Sequence, residues 1–204
     1  MTGDDVARDA GRAGSDPIGQ FGAVFERARR DAPYDATAVA LATVGADGAP
    51  SVRMVLLKGF DPLGFRFFTN YESRKGRDLA GEPRAALCFY WPWIEEQVRV
   101  EGAVERLGTE ESDAYFATRP RGSQLGAWAS RQSQPLPSRF ALLRRVAALE
   151  AKWLGRAVPR PPHWGGYLLR PSAVEFWTGR QSRLHERIRH TFGASGWTSV
   201  RLQP

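Results

Sequence analysis

Cationic side chains cluster at the ends of two strand-like runs between positions 53 and 75. Arg53 and Lys58 bound the run Arg-Met-Val-Leu-Leu-Lys, and Arg74 and Lys75 follow the run Phe-Phe-Thr-Asn-Tyr-Glu-Ser. Two of the three lysines of the chain lie here, against 26 arginines overall. Positive charge at strand ends, beside a short helix that begins at a serine, can bind a phosphate group. A hairpin with solvated basic ends explains one such pair taken alone.

The spacing of Arg53 and Lys58 bears on how many anions are bound. The two residues are five positions apart, and side chains of a regular strand alternate between its faces. An odd separation therefore places them on opposite sides. We expect them to serve different ligands or different parts of one site, and two distinct phosphates would fit that arrangement.

Tyr115, Arg119 and Ser123 form a second candidate anion site. Tyr115 and Arg119 are four residues apart and share one helix face if the helix reaches Arg119. Pro120 ends that helix, and Ser123 can cap the next one. A hydroxyl, a guanidinium and a helix N-terminus together suit a phosphate monoester. An exposed arginine with two helix caps is the alternative interpretation, and spacing alone does not separate the two.

Arg183, His185 and Arg187 form a third group and share one face if their segment is extended. Two arginines beside a histidine are costly unless an anion neutralises them, or unless the neighbouring glutamate and solvent screen them. His163 and His190 belong to no His-Glu-x-x-His pair, and no Gly-x-Ser-x-Gly elbow occurs. Neither a metal site nor a serine hydrolase is therefore predicted.

Four further residues could hydrogen-bond to a planar ring or stack on it. Each of them alone fits an ordinary structural role, and Trp177 in particular suits a hydrophobic core. The four residues are Gln97, Gln132, Ser133 and Trp177.

Composition narrows the class of protein. The 204 residues are 42% hydrophobic, enough for a sizeable core, and no apolar run approaches the 18 residues of a membrane span. The N-terminus has no apolar signal region, so secretion is not indicated. Cys88 is the only cysteine, which excludes an internal disulfide and suits the cytoplasm.

The net charge of +7 raises the possibility of a nucleic-acid partner. No Lys/Arg-rich block, zinc-finger spacing or RNP-type motif supports that partner. Arginines scattered among aromatic and small polar residues suit small anionic ligands, because the planar guanidinium pairs bidentately with phosphate. We therefore expect a small-molecule site and no nucleic acid.

The order of elements predicts a mainly β, α+β chain. Residues 1–16 lack periodicity and are predicted to be a flexible arm, and residues 17–204 a single domain. Strands joined by tight turns, with helices inserted late, indicate an antiparallel sheet or barrel with peripheral helices. Strands are predicted at 37–44, 51–58, 65–69, 85–91, 97–106, 167–169, 174–177 and 197–202. Helices are predicted at 17–31, 73–79, 109–117, 123–130 and 138–154.

Taken together, these segments closely resemble the pyridoxine (pyridoxamine) 5′-phosphate oxidase family. The resemblance runs from about Asp16 to Pro204, and its motifs follow one another at family-like spacing. They include Phe-Thr-Asn-Tyr-Glu-Ser-Arg-Lys at 68–75, Glu-Gln-Val-Arg-Val-Glu-Gly at 96–102 and Arg-Leu-His-Glu-Arg at 183–187. The remaining matches are at 53–58, 115–133, 158–161, 164–167 and 175–177.

The resemblance implies a split β-barrel that binds FMN in a cleft shared by the two subunits of a homodimer. Lys58, Tyr115, Arg119 and Ser123 would bind the phosphate of the vitamin B6 substrate. Arg183 and His185 would lie over its pyridine ring, and Asp35 occupies a position that approaches the active site in the family. FMN would be bound by Arg53, Met54, Val55, Leu56, Leu57, Lys58, Phe68, Thr69, Arg74, Lys75, Gln97, Gln132, Ser133, Trp177 and Arg187.

The family chemistry is oxidation of pyridoxine or pyridoxamine 5′-phosphate to pyridoxal 5′-phosphate. A hydride passes from C4′ to flavin N5, and O2 then accepts the electrons and gives H2O2. A related FMN oxidase acting on another ring, such as a phenazine precursor, is the alternative. The N-terminal arm and residues 188–195 depart from the family pattern, so closure of the arm over the substrate is not implied.

Overall fold

The structure is a computed structural model and describes residues 16–30 and 32–204. Its helices are α1 (Pro17–Arg30), α2 (Arg74–Gly81), α3 (Thr109–Thr118), α4 (Arg121–Ala129) and α5 (Arg139–Lys152). Its strands are β1 (Ala38–Val44), β2 (Pro50–Leu56), β3 (Gly59–Asp61), β4 (Gly64–Asn70), β5 (Arg84–Trp91), β6 (Glu96–Arg106), β7 (Trp164–Thr178), β8 (Glu186–Gly193) and β9 (Gly196–Leu202). Short 3₁₀ turns lie at Pro92–Ile94 and Gln181–Arg183.

These strands form one antiparallel sheet in the order β2-β1-β5-β6-β7-β4-β3, and β8 pairs with both β7 and β9. The 15-residue β7 organises the sheet. Its first half pairs with β4 and its second half with β8, and β6 pairs with it along nearly its whole length, from Tyr167 to Thr178. The prediction of a mainly β, α+β fold with an antiparallel sheet and peripheral helices is confirmed.

Helix α1 fills the inside of the curled sheet with aromatic rings. Phe21 is fully buried, and its ring centroid lies 4.8 Å from that of Phe65 and 5.0 Å from that of Phe89. Val24, Phe25 and Ala28 recur on the same helix face and are buried too. The three- and four-residue spacing seen in the sequence is therefore the face that contacts the core.

Asp16 caps this helix: its carboxylate accepts hydrogen bonds from the N–H groups of Ile18 and Gly19. The rest of the predicted arm, residues 1–15, lies outside the described residues. No helix within 16–30 or 32–204 is long and apolar enough to cross a membrane.

The predicted strands of the C-terminal third were wrong in two respects. Strands 167–169 and 174–177 are one strand, β7, which continues through Pro171. The pairing register with β6 shifts between Glu101 and Gly102, opposite Pro171, and a bulge of this kind accommodates a proline within a ladder. Strand β8 was not predicted at all, and its burial does not alternate: His190 is buried, whereas Arg187, Ile188 and Arg189 are all half-buried.

Helix α5 differs from its prediction in burial. The sequence predicted one apolar stripe comprising Phe140, Leu143, Val146, Leu149 and Trp153. Phe140 is 76% and Leu143 51% exposed, and no residue of α5 itself is buried within this chain. Trp153, just after the helix, packs with Phe116, Leu125 and Trp164 in a second hydrophobic cluster. Only the C-terminal part of the predicted stripe therefore contacts the core of its own chain.

Candidate functional site

A cleft of about 650 Å³ opens between strands β2 and β4 and helices α3 and α4. Its lining includes residues from both groups that were predicted to bind ligands, together with aromatic rings and backbone. Lys58, Tyr115, Arg119 and Ser123 form one group of lining residues, and Lys75, Thr69 and Gln132 form another. The family resemblance implied that the first group binds the phosphate of the substrate and that the second group binds FMN.

Arg119 is the most unusual residue of the first group. It follows the last residue of α3, and its guanidinium lies 4.6 Å from the centroid of the Trp164 indole. Burial lowers the pKa of Arg119. Its Nη1 atom is buried and makes no hydrogen bond to any of the described residues. A buried guanidinium nitrogen with no acceptor is costly, so this position suits a bound anion.

The helix geometry around Arg119 differs from the prediction in one detail. Ser123 does not cap α4, because the helix begins at Arg121 after Pro120. Ser123 lies in the first turn, where its backbone N–H donates to the carbonyl of Pro120. Its hydroxyl still lines the cleft. Because the helix starts two residues earlier than expected, the N-terminal end of its dipole also lies beside the cleft.

Stacked aromatic rings form a wall of the cleft. The rings of Phe68 and Tyr115 stack with their centroids 3.9 Å apart, and Trp164 stacks on Phe68 at 5.6 Å. Trp164 and Arg119 also contact Phe116. These contacts fix the helix that carries Tyr115 against strand β4.

The second group surrounds the ammonium of Lys75 at the start of α2. Ser73 caps this helix, as predicted, by accepting a hydrogen bond from the Gly76 N–H. Lys75 Nζ lies 3.2 Å from Gln132 Oε1 and 3.3 Å from both Thr69 Oγ1 and Ser73 Oγ. These partners are neutral oxygens, and burial lowers the pKa of Lys75, with the charge of Arg53 adding to the effect.

Two neighbours extend this cationic corner. The backbone N–H of Arg74 donates to Ser133 Oγ at 3.2 Å. Arg53 lies behind the cleft and does not line it, since its Nη1 donates to the carbonyl of Leu41 and to Thr43 Oγ1 at 3.0 and 2.7 Å. Burial, together with the charge of Arg74, lowers the pKa of Arg53.

The other residues predicted on β2 have mixed positions. Met54, Val55 and Leu56 line the cleft, whereas Leu57 is 4% exposed and belongs to the hydrophobic core. Lys58 lies beyond the end of β2, where its N–H donates to the carbonyl of Arg66. The predicted strand 51–58 is therefore two residues too long at its C-terminal end.

A separate set of predicted residues lies side by side on β6, β7 and β8. Gln97 pairs with Trp177, and Trp177 pairs with Arg187. The His185 ring is 4.7 Å from the Trp177 ring, and His185 Nδ1 accepts a hydrogen bond from the Arg180 N–H. Arg187 donates to the buried carboxylate of Glu175 at 2.9 Å.

Arg183 does not share an extended face with His185 and Arg187. It ends a 3₁₀ turn and has a φ of 61°, so its backbone is left-handed. The extended backbone of β8 begins only at Glu186. The prediction that Arg183, His185 and Arg187 share one extended face was therefore wrong, because the backbone at Arg183 is not extended.

Asp35 is bound locally. Its carboxylate accepts hydrogen bonds from Thr37 N–H and Thr37 Oγ1 at 2.9 and 2.6 Å. These bonds, with a smaller contribution from the charge of Lys58, lower the pKa of Asp35. The carboxylate thus interacts electrostatically with Lys58 but is not part of the cleft lining.

The cleft and the Gln97–Trp177–Arg187 row lie at opposite ends of β7. Trp164 begins the strand and Trp177 is thirteen positions further on. At about 3.3 Å per residue this separation is roughly 40 Å along the strand. One small ligand is much shorter than this length of strand.

The sequence missed several lining residues. Asn70, Thr118, Ser130 and Trp164 line the cleft but were not predicted as site residues. Trp164 had a usable signal, because it begins the run at 164–167 that resembles the family. The others follow or precede predicted residues by a few positions and carried no signal of their own.

Comparison with known proteins decides the family. The family profile "Pyridoxamine 5'-phosphate oxidase" matches residues 25–153, and the "Pyridoxine 5'-phosphate oxidase C-terminal dimerisation region" matches residues 164–204. A curated pyridoxine/pyridoxamine 5'-phosphate oxidase from Rubrobacter xylanophilus is 59% identical over 192 residues, which cover 94% of this chain and 88% of the relative. The chain belongs to the pyridoxamine 5′-phosphate oxidase family. It is accordingly an FMN-dependent oxidoreductase.

Solved structures place this member of the family among split β-barrels. PhzG from Burkholderia lata 383, in complex with tetrahydrophenazine-1-carboxylic acid, superposes with a TM-score of 0.89 at 35% identity, covering 93% of each chain. A pyridoxamine 5'-phosphate oxidase-related, FMN-binding protein from Nostoc punctiforme PCC 73102 has a TM-score of 0.73 at 21% identity, covering 94% of this chain and 100% of the other. The predicted split-barrel fold is confirmed.

Proposed function

We propose that this oxidase converts pyridoxine 5′-phosphate and pyridoxamine 5′-phosphate to pyridoxal 5′-phosphate. The observation that carries the proposal is the guanidinium of Arg119, which lines the cleft and whose buried Nη1 has no acceptor within the described part of the chain. A phosphate monoester supplies such an acceptor and pairs with a guanidinium in bidentate geometry. Tyr115, Ser123 and Lys58 line the same part of the cleft and add two hydroxyls and an ammonium.

The residues around Lys75 fit the phosphate and ring of FMN. Lys75, Arg74 and Arg53 supply positive charge, and the N-terminus of α2 adds its dipole. Thr69, Gln132 and Ser133 supply neutral hydrogen-bonding groups. Among the described residues, the hydrogen-bond partners of the buried Lys75 ammonium are neutral oxygens, so an anion there would relieve its desolvation. Bound FMN would supply the acceptor for a hydride from C4′ of the substrate and a route for the electrons to O2, with H2O2 as the product.

The protein's share of the reaction is therefore binding and orientation. Lys58 and Arg119 would fix the substrate phosphate, and this would bring the ring carbon to a defined place beside the flavin. His185 already accepts a hydrogen bond at Nδ1, so Nε2 is the nitrogen free to meet a substrate. Arg183 and His185 would lie over the substrate ring, and Asp35 would act near Lys58.

We further propose that the functional site combines two copies of the chain. The match to a dimerisation region supports a homodimer. The length of β7 between the cleft and the Gln97–Trp177–Arg187 row also supports a site to which two chains contribute. A second copy would bring its own Trp177, His185 and Arg187 to the cleft, and FMN would lie at the interface.

A phenazine precursor is the second candidate substrate, because the chain superposes on PhzG with a TM-score of 0.89. Tetrahydrophenazine-1-carboxylic acid carries a carboxylate and no phosphate. The Lys58, Tyr115, Arg119 and Ser123 group offers more donors than one carboxylate accepts, which favours the phosphate ester.

Steady-state oxidation separates the two candidates. The FMN-loaded protein is given pyridoxine 5′-phosphate, pyridoxamine 5′-phosphate, unphosphorylated pyridoxine and a dihydrophenazine carboxylate, and H2O2 release is followed. We expect turnover with the two phosphate esters and a large loss of kcat/KM with pyridoxine. Turnover restricted to the phenazine compound would replace the proposed substrate with that class.

A further inference from the structure

We propose that Asp78 is a positioning residue that holds Arg53 in place and balances the charge of Lys75 for the phosphate of FMN. This inference rests on the proposed function, because it assumes that FMN binds beside Lys75. Asp78 itself does not line the cleft. It would act through its two cationic neighbours and not by touching the cofactor.

The position of Asp78 follows from helix α2. Lys75 and Asp78 are three residues apart, so they share one face of the helix. Both are buried, at 7% and 8% exposure. This face packs on β1, where the hydroxyl of Thr43, 1% exposed, donates to Asp78 Oδ2 at 2.7 Å. A carboxylate this deep in the protein requires charged or polar partners.

Arg53 closes the cluster from the other side. Its Nη1 donates to the same Thr43 hydroxyl at 2.7 Å, and its Nη2 is 3.6 Å from Asp78 Oδ2. Arg53, Thr43 and Asp78 thus form a closed set that fixes the guanidinium behind the cleft. An arginine with this many partners has one available geometry and loses little entropy when a ligand binds.

Asp78 also offsets repulsion between cations. Arg53, Arg74 and Lys75 are close enough that the charge of Arg53 lowers the pKa of Lys75 and the charge of Arg74 lowers that of Arg53. The charge of Asp78 raises the pKa of both Lys75 and Arg53. Without this carboxylate the ammonium of Lys75 would lose its proton more readily before the cofactor arrives, and a neutral amine attracts a phosphate less strongly.

The test measures FMN affinity as a function of pH, by quenching of flavin fluorescence, and requires no turnover. Wild-type protein should bind FMN with an affinity that declines on the alkaline side as Lys75 deprotonates. Asp78→Asn keeps the size of the side chain and an acceptor for Thr43 but removes the charge. We expect its alkaline decline to move to lower pH by about one unit.

Two further variants make the interpretation specific. Asp61→Asn removes a carboxylate that pairs with Arg66 at 2.8 Å, away from the cleft, and should leave the decline at its wild-type pH. Lys75→Arg combined with Asp78→Asn should bind FMN without the shifted decline, because a guanidinium does not titrate in this range. If Asp78 had a purely structural role, Lys75→Arg would not restore FMN binding in the Asp78→Asn variant.

Several outcomes would overturn the inference. One is an alkaline decline in Asp78→Asn at the wild-type pH. Another is weaker FMN binding by the same factor at every pH, with no correction by Lys75→Arg. A third is tighter binding at every pH, which would show that Asp78 only repels the phosphate. Failure of the wild-type protein to bind FMN at all would instead remove the proposed function, and the wild-type titration reveals that directly.

Discussion

The guanidinium of Arg119 lies 4.6 Å from the centroid of the Trp164 indole, and its Nη1 meets no acceptor in residues 16–30 and 32–204. The indole contacts the guanidinium by a cation–π interaction, which leaves Nη1 without an acceptor. A ligand that accepts several hydrogen bonds would satisfy this guanidinium. It is the strongest structural support for a phosphate-bearing substrate.

Replacement of this guanidinium should affect phosphorylated substrates selectively. Arg119→Lys retains the charge but loses the bidentate geometry and the stacking on Trp164. We expect kcat/KM for pyridoxine 5′-phosphate to fall about 10- to 100-fold, the effect of losing charge-assisted hydrogen bonds. Steady-state kinetics with pyridoxine 5′-phosphate and with unphosphorylated pyridoxine checks this expectation.

A matched control is Arg84→Lys, since the side chain of Arg84 is 78% exposed and forms an ion pair with nearby Glu82. Its kinetics should equal those of the wild-type protein. An equal loss with pyridoxine and with its phosphate in Arg119→Lys would contradict the assignment of Arg119 to the phosphate.

The two-copy site predicts complementation between defective chains. Arg119→Met impairs the cleft, and Arg187→Met impairs the row on β7 and β8. When both variants are coexpressed, a mixed dimer carries one doubly altered site and one intact site. Activity should recover to about one quarter of the wild-type level, because half of a random population of dimers is mixed. Absence of any recovery, in a sample shown by mass spectrometry to contain mixed dimers, would rule out a shared site.

His190 predicts how the stability of the fold depends on pH. It is 4% exposed, its ring lies edge-on to Phe176, and burial lowers its pKa below the ordinary value of 6.5. The unfolded chain therefore binds more protons between these two pKa values, and stability falls as the pH drops below about 6.5. The drop in Tm between about pH 8 and pH 5 should be smaller in His190→Gln than in the wild-type protein. An identical drop would mean that His190 does not contribute to the pH dependence.

The aromatic core predicts a large stability difference between two phenylalanines. Phe21 is fully buried among the rings of Phe60, Phe65 and Phe89, whereas Phe140 on α5 is 76% exposed. Phe21→Ala should lower the free energy of unfolding by about 3–5 kcal/mol, because it leaves a cavity in a packed core. Phe140→Ala should change the unfolding free energy of one chain by about 0.5 kcal/mol or less. Chemical denaturation measures both, and similar values for the two variants would contradict the packing described.

Local side-chain chemistry explains which elements could be predicted. The Ser73 cap and the apolar face of α1 depend on residues a few positions apart, and both were predicted. The continuity of β7 through Pro171 depends on a register shift in β6, which lies about 70 residues earlier in the chain. Gly102 is required there because a Cβ at that position would overlap the carbonyl of Arg170. No single-strand pattern contains that information.

In the candidate site, too, the features set by nearby residues could be predicted and those set by distant residues could not. Lys58, Arg119 and Lys75 could be identified from residue type, spacing and family motifs, and the structure brings them to one cleft. The position of Arg53 behind that cleft could not be predicted from the sequence, because it depends on contacts with Thr43 and Asp78 in other elements. Asp78 itself carried no signal, since an isolated aspartate in a basic helix is ordinarily a solvated residue.

Anaerobic reduction of the bound flavin tests the central claim most directly. The FMN-loaded protein is mixed with pyridoxine 5′-phosphate or pyridoxamine 5′-phosphate without oxygen, and the absorbance of the oxidised flavin is followed. The proposed function predicts bleaching by both phosphate esters and recovery of the yellow colour when O2 is admitted. A flavin that stays oxidised with both esters would contradict the account.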